Sequence, residues 1–577
     1  MKQKMCKRWL RDFHAFFLSV ILAISVAAVL GCSSSDDAPI FFDGTVEIEA
    51  GDATLTCAVK GDIVACRGIR YAEPPVGNLR FRVPEPRDLE GDIDATKFGS
   101  VCVQNDKTGS EDCLFLNVFL PEDAEPGDDL PVMVWIHGGA LIQGASSVPG
   151  YDLPALVKKG VIVVTINYRL NAFGFLPHPA LEDATGNFGL KDQALALIWV
   201  DHHISAFGGD PGNVTIFGES AGGHSVLSLL VNAPTIPATL FHKAIVQSGS
   251  YSPAQTPLTT GYYTLGLPFA DLLGFPSGTG AGPCSVAGGC ATCTDNAGIR
   301  ACLRSLTVDE IMDTQLAAPA WSWITPVYAA GTFLPKNIQT ALTDGDVADV
   351  PVMIGSNLHE GTLFAGLFLE QFGYMGNDTQ YRAGVSALIN PTGMDPGAEA
   401  VAQAAATHYL TVAPGTTNKF RNAYSMIWTD ATFTCNNLLQ WGQLATAGND
   451  VYAYWFTDAD APINPTYEAL RGFLKPIKLL DFGNWAVGAS HSFEIQYIFG
   501  HLKNHPDATF SQKVLSNRMI DYWTNFAKDG VPGGGWMAYN GANIRKLNPA
   551  GDSDAGALEF GAAHQCGFWA NPFAVDQ

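Results

Sequence analysis

The chain has 577 residues, 47% hydrophobic and 15% charged, with 60 Gly and 34 Pro, the make-up of a globular protein with a large core and many turns. Its formal charge of −23 argues against nucleic acid as a partner, because phosphate binding needs a basic surface, and against adsorption to anionic membranes. Such a field keeps an exported protein soluble and would also help to expel a carboxylate product.

The first 31 residues read as a targeting segment. Lys2, Lys4, Lys7, Arg8 and Arg11 precede an apolar run from Ala15 to Leu30, too short and wrongly flanked for a comfortable membrane span. Val29-Leu30-Gly31-Cys32 resembles the lipobox of bacterial lipoproteins, in which Cys32 would carry the lipid. Leu30 is not the commonest residue there, so cleavage by an ordinary signal peptidase is the alternative. Residues 32–44 then form a polar tether, and 45–577 a single catalytic domain. Of 12 cysteines, Cys6 and Cys32 fall in the targeting segment; an even number remains, as disulfides in an exported chain require. The expected location is the cell envelope or the medium, with membrane contact only through the lipid.

In chain order, Thr45 to Arg82 shows short alternating runs broken by Gly and Pro, an N-terminal β-meander. Leu130–Ile136 and Val161–Asn167 are continuous apolar runs, strands buried on both faces. Lys191–Ile204 has helical periodicity, Val214–Phe217 is a short strand, and Ala221–Val231 is a helix. Lys243–Gln247, Val350–Ile354 and Val451–Phe456 complete the buried strands. Such alternation predicts an α/β fold with a mostly parallel sheet flanked by helices and an active site beyond the strand carboxyl ends. Ser252–Thr314 and Phe364–Tyr424 break the rhythm and read as insertions capping the sheet.

Chemistry enters at Gly218-Glu219-Ser220-Ala221-Gly222, directly after a strand and directly before a helix. A nucleophile elbow needs that context: the serine sits on a sharp turn, and glycines let backbones approach. A serine hydroxyl also needs a base, and a tetrahedral intermediate needs donors for its oxyanion. His137-Gly138-Gly139-Ala140 follows Leu130–Ile136 as an oxyanion loop should, and the Ala221 N–H would add a donor. In this fold the acid and then the histidine follow the serine. Of His408, His491, His501, His505 and His564, His491 lies in a loop-like stretch suited to delivering an imidazole. His408 sits in an Ala-rich helix, and His501 and His505 look like helix ends. Glu360, after the strand Val350–Ile354, is the candidate acid.

These stretches, with Gly68-Ile69-Arg70-Tyr71-Ala72-Glu73-Pro74-Pro75, Glu111-Asp112-Cys113-Leu114-Phe115-Leu116-Asn117-Val118, Asn167-Tyr168-Arg169-Leu170-Asn171-Ala172-Phe173-Gly174-Phe175 and Gln247-Ser248-Gly249-Ser250, resemble the type-B carboxylesterase/lipase family, the cholinesterase-like branch of the α/β-hydrolases. The resemblance implies a Ser220–Glu360–His491 triad and an oxyanion hole from Gly138, Gly139 and Ala221. It implies a buried pocket carboxylate at Glu219, a Ser248 hydroxyl on the triad acid, and structural ion pairs Arg80–Glu111 and Arg169–Asp210. It implies disulfides Cys102–Cys113 and Cys435–Cys566, with Cys57–Cys66 clipping an N-terminal hairpin. Cys302 would pair with Cys284, Cys290 or Cys293; a four-cysteine zinc site is the rival reading. No metal or organic cofactor is expected.

The chain departs from cholinesterases between Cys102 and Cys113, where no tryptophan stands ready to hold a quaternary ammonium. Trp321 and Trp323 fall near the family's acyl pocket. The expected activity is hydrolysis of small carboxylic esters; a lipase or polyester hydrolase is the alternative, and a non-catalytic adhesion module the remote one.

Overall fold

The computed structural model describes residues 44–570 apart from 152–153, 233–238, 253, 273–295, 318–323, 373–376, 391–394, 415–417 and 464–487. The targeting segment, Cys32, Cys284, Cys290, Cys293, Trp321 and Trp323 lie outside the described residues. The chain divides into two compact units. The first takes the described residues up to Ala244 and those between 253 and Ala348; the second takes Ile245–Ser252 and the described residues from Asp349 onward.

The first unit opens with the expected meander: β1 (Gly44–Ala50), β2 (Asp52–Lys60) and β3 (Ile63–Arg70), joined antiparallel, with β4 (Glu90–Ala95) parallel to β2. The Cys57–Cys66 disulfide crosses the β2–β3 hairpin. Then come β5 (Phe115–Pro121), β6 (Leu130–Ile136), β7 (Ile162–Ile166) and β8 (Gly209–Glu219), in the order β3-β5-β7-β6-β8. The pairs β7–β6 and β6–β8 are parallel, as their uninterrupted Val and Ile runs require of strands covered on both faces. Helix Phe188–His203 is buried along most of its length, and every residue of helix Ala221–Leu230 is buried.

Strand β9 (Lys243–Gln247) carries the chain from the first unit into the second. There β10 (Val352–Asn357), β11 (Val451–Phe456) and β12 (Ile544–Leu547) are parallel and β13 (Ser553–Ala555) closes antiparallel. The stretch read as an insertion after Phe364 is helical: Gly361–Phe372, Asp378–Ile389, Pro396–Val412 and Lys419–Ile427. Asp395 caps the third of these through Gly397 and Ala398 N–H, with Pro396 in the first turn. The long helix Phe510–Asp529 starts at a capping box of Thr509 and Gln512.

Cys102–Cys113 and Cys435–Cys566 are bonded as the resemblance implied, and Cys302 is disulfide-bonded too. Such bonds belong to an oxidising compartment. Among the described residues, no helix is long and apolar enough to cross a membrane.

Candidate active site

In the first unit Ser220 stands between β8 and the helix it starts, at φ 55 and ψ −120, a conformation that L residues avoid. Both flanking glycines are required there. A methyl on Gly218 would lie 2.6 Å from the Ile136 carbonyl oxygen, and one on Gly222 would run into the same atom. The elbow therefore depends on close approach to the end of β6. Ala221, next in line, opens the helix, so its N–H has no acceptor within that helix.

The loop from His137 to Ala140, the candidate oxyanion loop, lies against the same elbow. A methyl on Gly138 would meet the Glu219 carbonyl oxygen at 2.8 Å and Ser220 Cβ at 3.2 Å. Gly139 has φ +109, and Ala140 and Leu141 continue at φ 56 and 62. Glu219 is buried, as the resemblance implied. His137, at the head of the loop, is also buried, which depresses its imidazole to about 4 and keeps it neutral.

In the second unit Glu360 and His491 meet: His491 Nδ1 donates to Glu360 Oε2 at 2.6 Å. Glu360 is fully buried and His491 nearly so. The other Glu360 oxygen accepts from Ser248 Oγ at 2.6 Å and from the Asn357 N–H at 2.7 Å. Ser248 thus makes the bond to Glu360 that the resemblance implied. The His491 ring packs against Phe364 and Phe433 at 5.0 and 4.8 Å between centroids. Its backbone is fixed through Ser490, whose carbonyl accepts from Asn357 Nδ2 and whose Oγ accepts from the Leu363 N–H.

A second carboxylate behind this pair had no role in the sequence reading. Glu494 is fully buried, accepting from Asn357 Nδ2 at 2.6 Å and Gln247 Nε2 at 3.1 Å. Burial, and then the charge of Glu360, push its carboxyl above the usual range. Its spacing of three residues from His491 was the available signal.

The other histidines are elsewhere. His408 stacks on Phe568, and His564 pairs with Asp430 at 3.0 Å. His501 opens a short 3₁₀ turn, and His505 Nε2 donates to the Ile463 carbonyl. Arg80 pairs with Glu111, Nε to Oε2 at 2.6 Å. The expected Arg169–Asp210 pair is not formed. Arg169 instead grips Asp192 with Nε at 2.8 Å and Nη2 at 2.6 Å, while Asp210 accepts the Gly212 N–H in its own turn. Asp192 comes from the buried helix Phe188–His203, close enough to satisfy a fully buried guanidinium. Among the described residues no group of three or more His, Cys, Asp or Glu is placed to hold a metal ion.

The profile of the carboxylesterase family matches residues 53–569. The chain belongs to that family. The esterase is 29% identical to acetylcholinesterase 1 of Caenorhabditis elegans, over 96% of this chain and 90% of that protein. It is 32% identical to the para-nitrobenzyl esterase of Bacillus subtilis (strain 168), over 82% and 88% respectively. The esterase accordingly has the α/β-hydrolase fold and is a serine-type carboxylic ester hydrolase.

Proposed function

We propose that the esterase cleaves small carboxylic esters through an acyl-enzyme on Ser220, with His491 as base and Glu360 as the acid that orients it. The observation carrying this reading is the 2.6 Å bond from His491 Nδ1 to a fully buried carboxylate. It puts the imidazole proton on Nδ1, and in that tautomer Nε2 carries the lone pair that a base needs. Nε2 takes the Ser220 proton as Oγ bonds to the ester carbonyl carbon. The oxyanion that results is met by backbone N–H groups of Gly138, Gly139 and Ala221. Nε2 then returns the proton to the departing alcohol, and water repeats both steps to release the acid.

The same reading covers where the enzyme works. Residues 1–31 are a signal peptide, Cys32 carries the lipid, 32–44 are the tether, and 45–577 the catalytic domain. The disulfides support an exported protein. The loop between Cys102 and Cys113 has no aromatic side chain to hold a quaternary ammonium, so choline esters are poor substrates.

Initial rates on p-nitrophenyl acetate, butyrate, octanoate and palmitate test the activity, with a fluorophosphonate label mapped by mass spectrometry. Labelling at Ser220, loss of turnover in Ser220→Ala, and rates falling beyond butyrate are expected. Wild-type turnover in Ser220→Ala would sink the assignment. Cys32→Ala should release active enzyme from the membrane fraction.

A further inference from the structure

The oxyanion loop needs outside support, because its own sequence does not choose its conformation. Gly139, Ala140 and Leu141 all have positive φ, and the Gly138–Gly139 peptide has no Cβ on either side to stop it turning over. The Gly138 carbonyl and the Gly139 N–H belong to one planar unit, so whatever fixes the first aims the second.

Two groups fix that carbonyl. His137 Nδ1–H donates to it at 2.8 Å, with the ring stacked on Tyr168 at 4.4 Å. Gly144, at φ +107, packs so closely that a methyl there would lie 2.5 Å from both Gly138 O and His137 Nδ1. The turn between them closes on Gly139, whose carbonyl accepts from the Ile142 and Gln143 N–H groups at 3.1 Å.

Gly144 is itself held at both ends by one side chain. Its N–H donates to Gln104 Oε1 at 2.7 Å, and its carbonyl accepts from Gln104 Nε2 at 3.1 Å. Gln104 Nε2 also donates to the Cys102 carbonyl at 2.6 Å. Gln104 is buried and stands inside the loop closed by the Cys102–Cys113 disulfide. A buried amide that satisfies both backbone groups of one residue fixes that residue's position and its orientation.

We propose that Gln104 is a positioning residue for ester hydrolysis: by holding both backbone groups of Gly144 it keeps the turn closed on the Gly138 carbonyl and the Gly139 N–H aimed at the oxyanion. This rests on the oxyanion-hole reading above. The disulfide loop thereby acts on the reaction through a backbone tie.

Gln104→Leu removes both bonds at similar volume, and Gln104→Glu keeps only the acceptor. With p-nitrophenyl butyrate, kcat should fall at least tenfold in Gln104→Leu and less in Gln104→Glu, with KM within twofold. The inhibition constant of a trifluoromethyl ketone, whose hemiketal oxyanion needs the same donors, should rise by the factor by which kcat/KM falls. General loosening would not make those two quantities track. Wild-type kcat in folded Gln104→Leu overturns the proposal, as does a fall in kcat with ketone affinity unchanged. If Gln104→Leu does not fold, the same two measurements on Gln104→Glu decide. Ser220→Ala separates the levels: turnover there defeats the site assignment, whereas a dead Ser220→Ala beside a fully active Gln104→Leu defeats only the role of Gln104.

Discussion

His491 Nδ1 lies 2.6 Å from Glu360 Oε2, and the remaining oxygen of that carboxylate is occupied by Ser248 Oγ and the Asn357 N–H. Two donors on Oε1 mean that the group cannot rotate, and this bears on the amide isostere. In Glu360→Gln the amide oxygen must stay where the donors are, so the NH₂ faces Nδ1. Nδ1 then has to accept, the proton moves to Nε2, and the base is lost. The expected fall in kcat is about 10³- to 10⁴-fold with little change in KM or melting temperature, measured by steady-state kinetics and calorimetry. A loss below tenfold would remove Glu360 from the triad.

The elbow makes a steric prediction that does not depend on chemistry. Gly222 sits where a Cβ would collide with the Ile136 carbonyl oxygen, a backbone atom at the end of a strand buried on both faces. Neither side can yield without shifting β6 or the helix carrying Ala221. Gly222→Ala should therefore lose soluble expression or activity. Gly442→Ala, where nothing lies within 4 Å of the new methyl, should leave both intact. Activity per milligram of folded protein, with circular dichroism, distinguishes them.

Acid should weaken the fold through two buried imidazoles. Burial depresses His137 and His178 to about 4 from an ordinary 6.5. The unfolded chain therefore takes up protons first as pH falls. Stability from these groups is full above about pH 6.5 and is lost as pH drops toward 4, on the order of 3 kcal/mol for each imidazole. His178 Nδ1 accepts from the Ala180 N–H while its buried Nε2 has no hydrogen-bond partner among the described residues, so the ring has little use for a second proton. His178→Asn keeps an acceptor and cannot titrate. Its melting temperature should fall less than wild type between pH 7.5 and pH 5.

What could be read from the sequence was whatever local chemistry determines. Leu130–Ile136, Lys243–Gln247 and Val451–Phe456 are legible to the residue, because short apolar runs without polar alternation suit strands covered on both faces. Strand β8 begins five residues earlier than its apolar run, since Asp210-Pro211-Gly212-Asn213 has the composition of a turn. The short strands Ile544–Leu547 and Ser553–Ala555 were missed because neither is long enough to show a period. Ser248 on Glu360 was foreseen through family likeness. Gln104 on Gly144 and Glu494 behind Asn357 were not, because each bond joins residues whose meeting no local pattern announces.

Arg169 shows where likeness misleads, and the difference can be measured. Its guanidinium is 3% exposed and its partner Asp192 is 0% exposed, joined by two charge-assisted bonds, with the Arg169 N–H donating to the same carboxylate at 3.0 Å. Removing one member of such a pair leaves a buried charge without its counter-charge, at a cost of about 3–5 kcal/mol, far more than the intact pair contributes. Asp210 is only half-buried, and its carboxylate serves its own turn through the Gly212 N–H, a bond whose loss water can make good. Chemical denaturation should therefore find Asp192→Ala destabilised by that amount and Asp210→Ala within about 1 kcal/mol of wild type. The reverse ranking would mean that Arg169 uses Asp210 in solution. Equal, small effects would mean that the guanidinium reaches water.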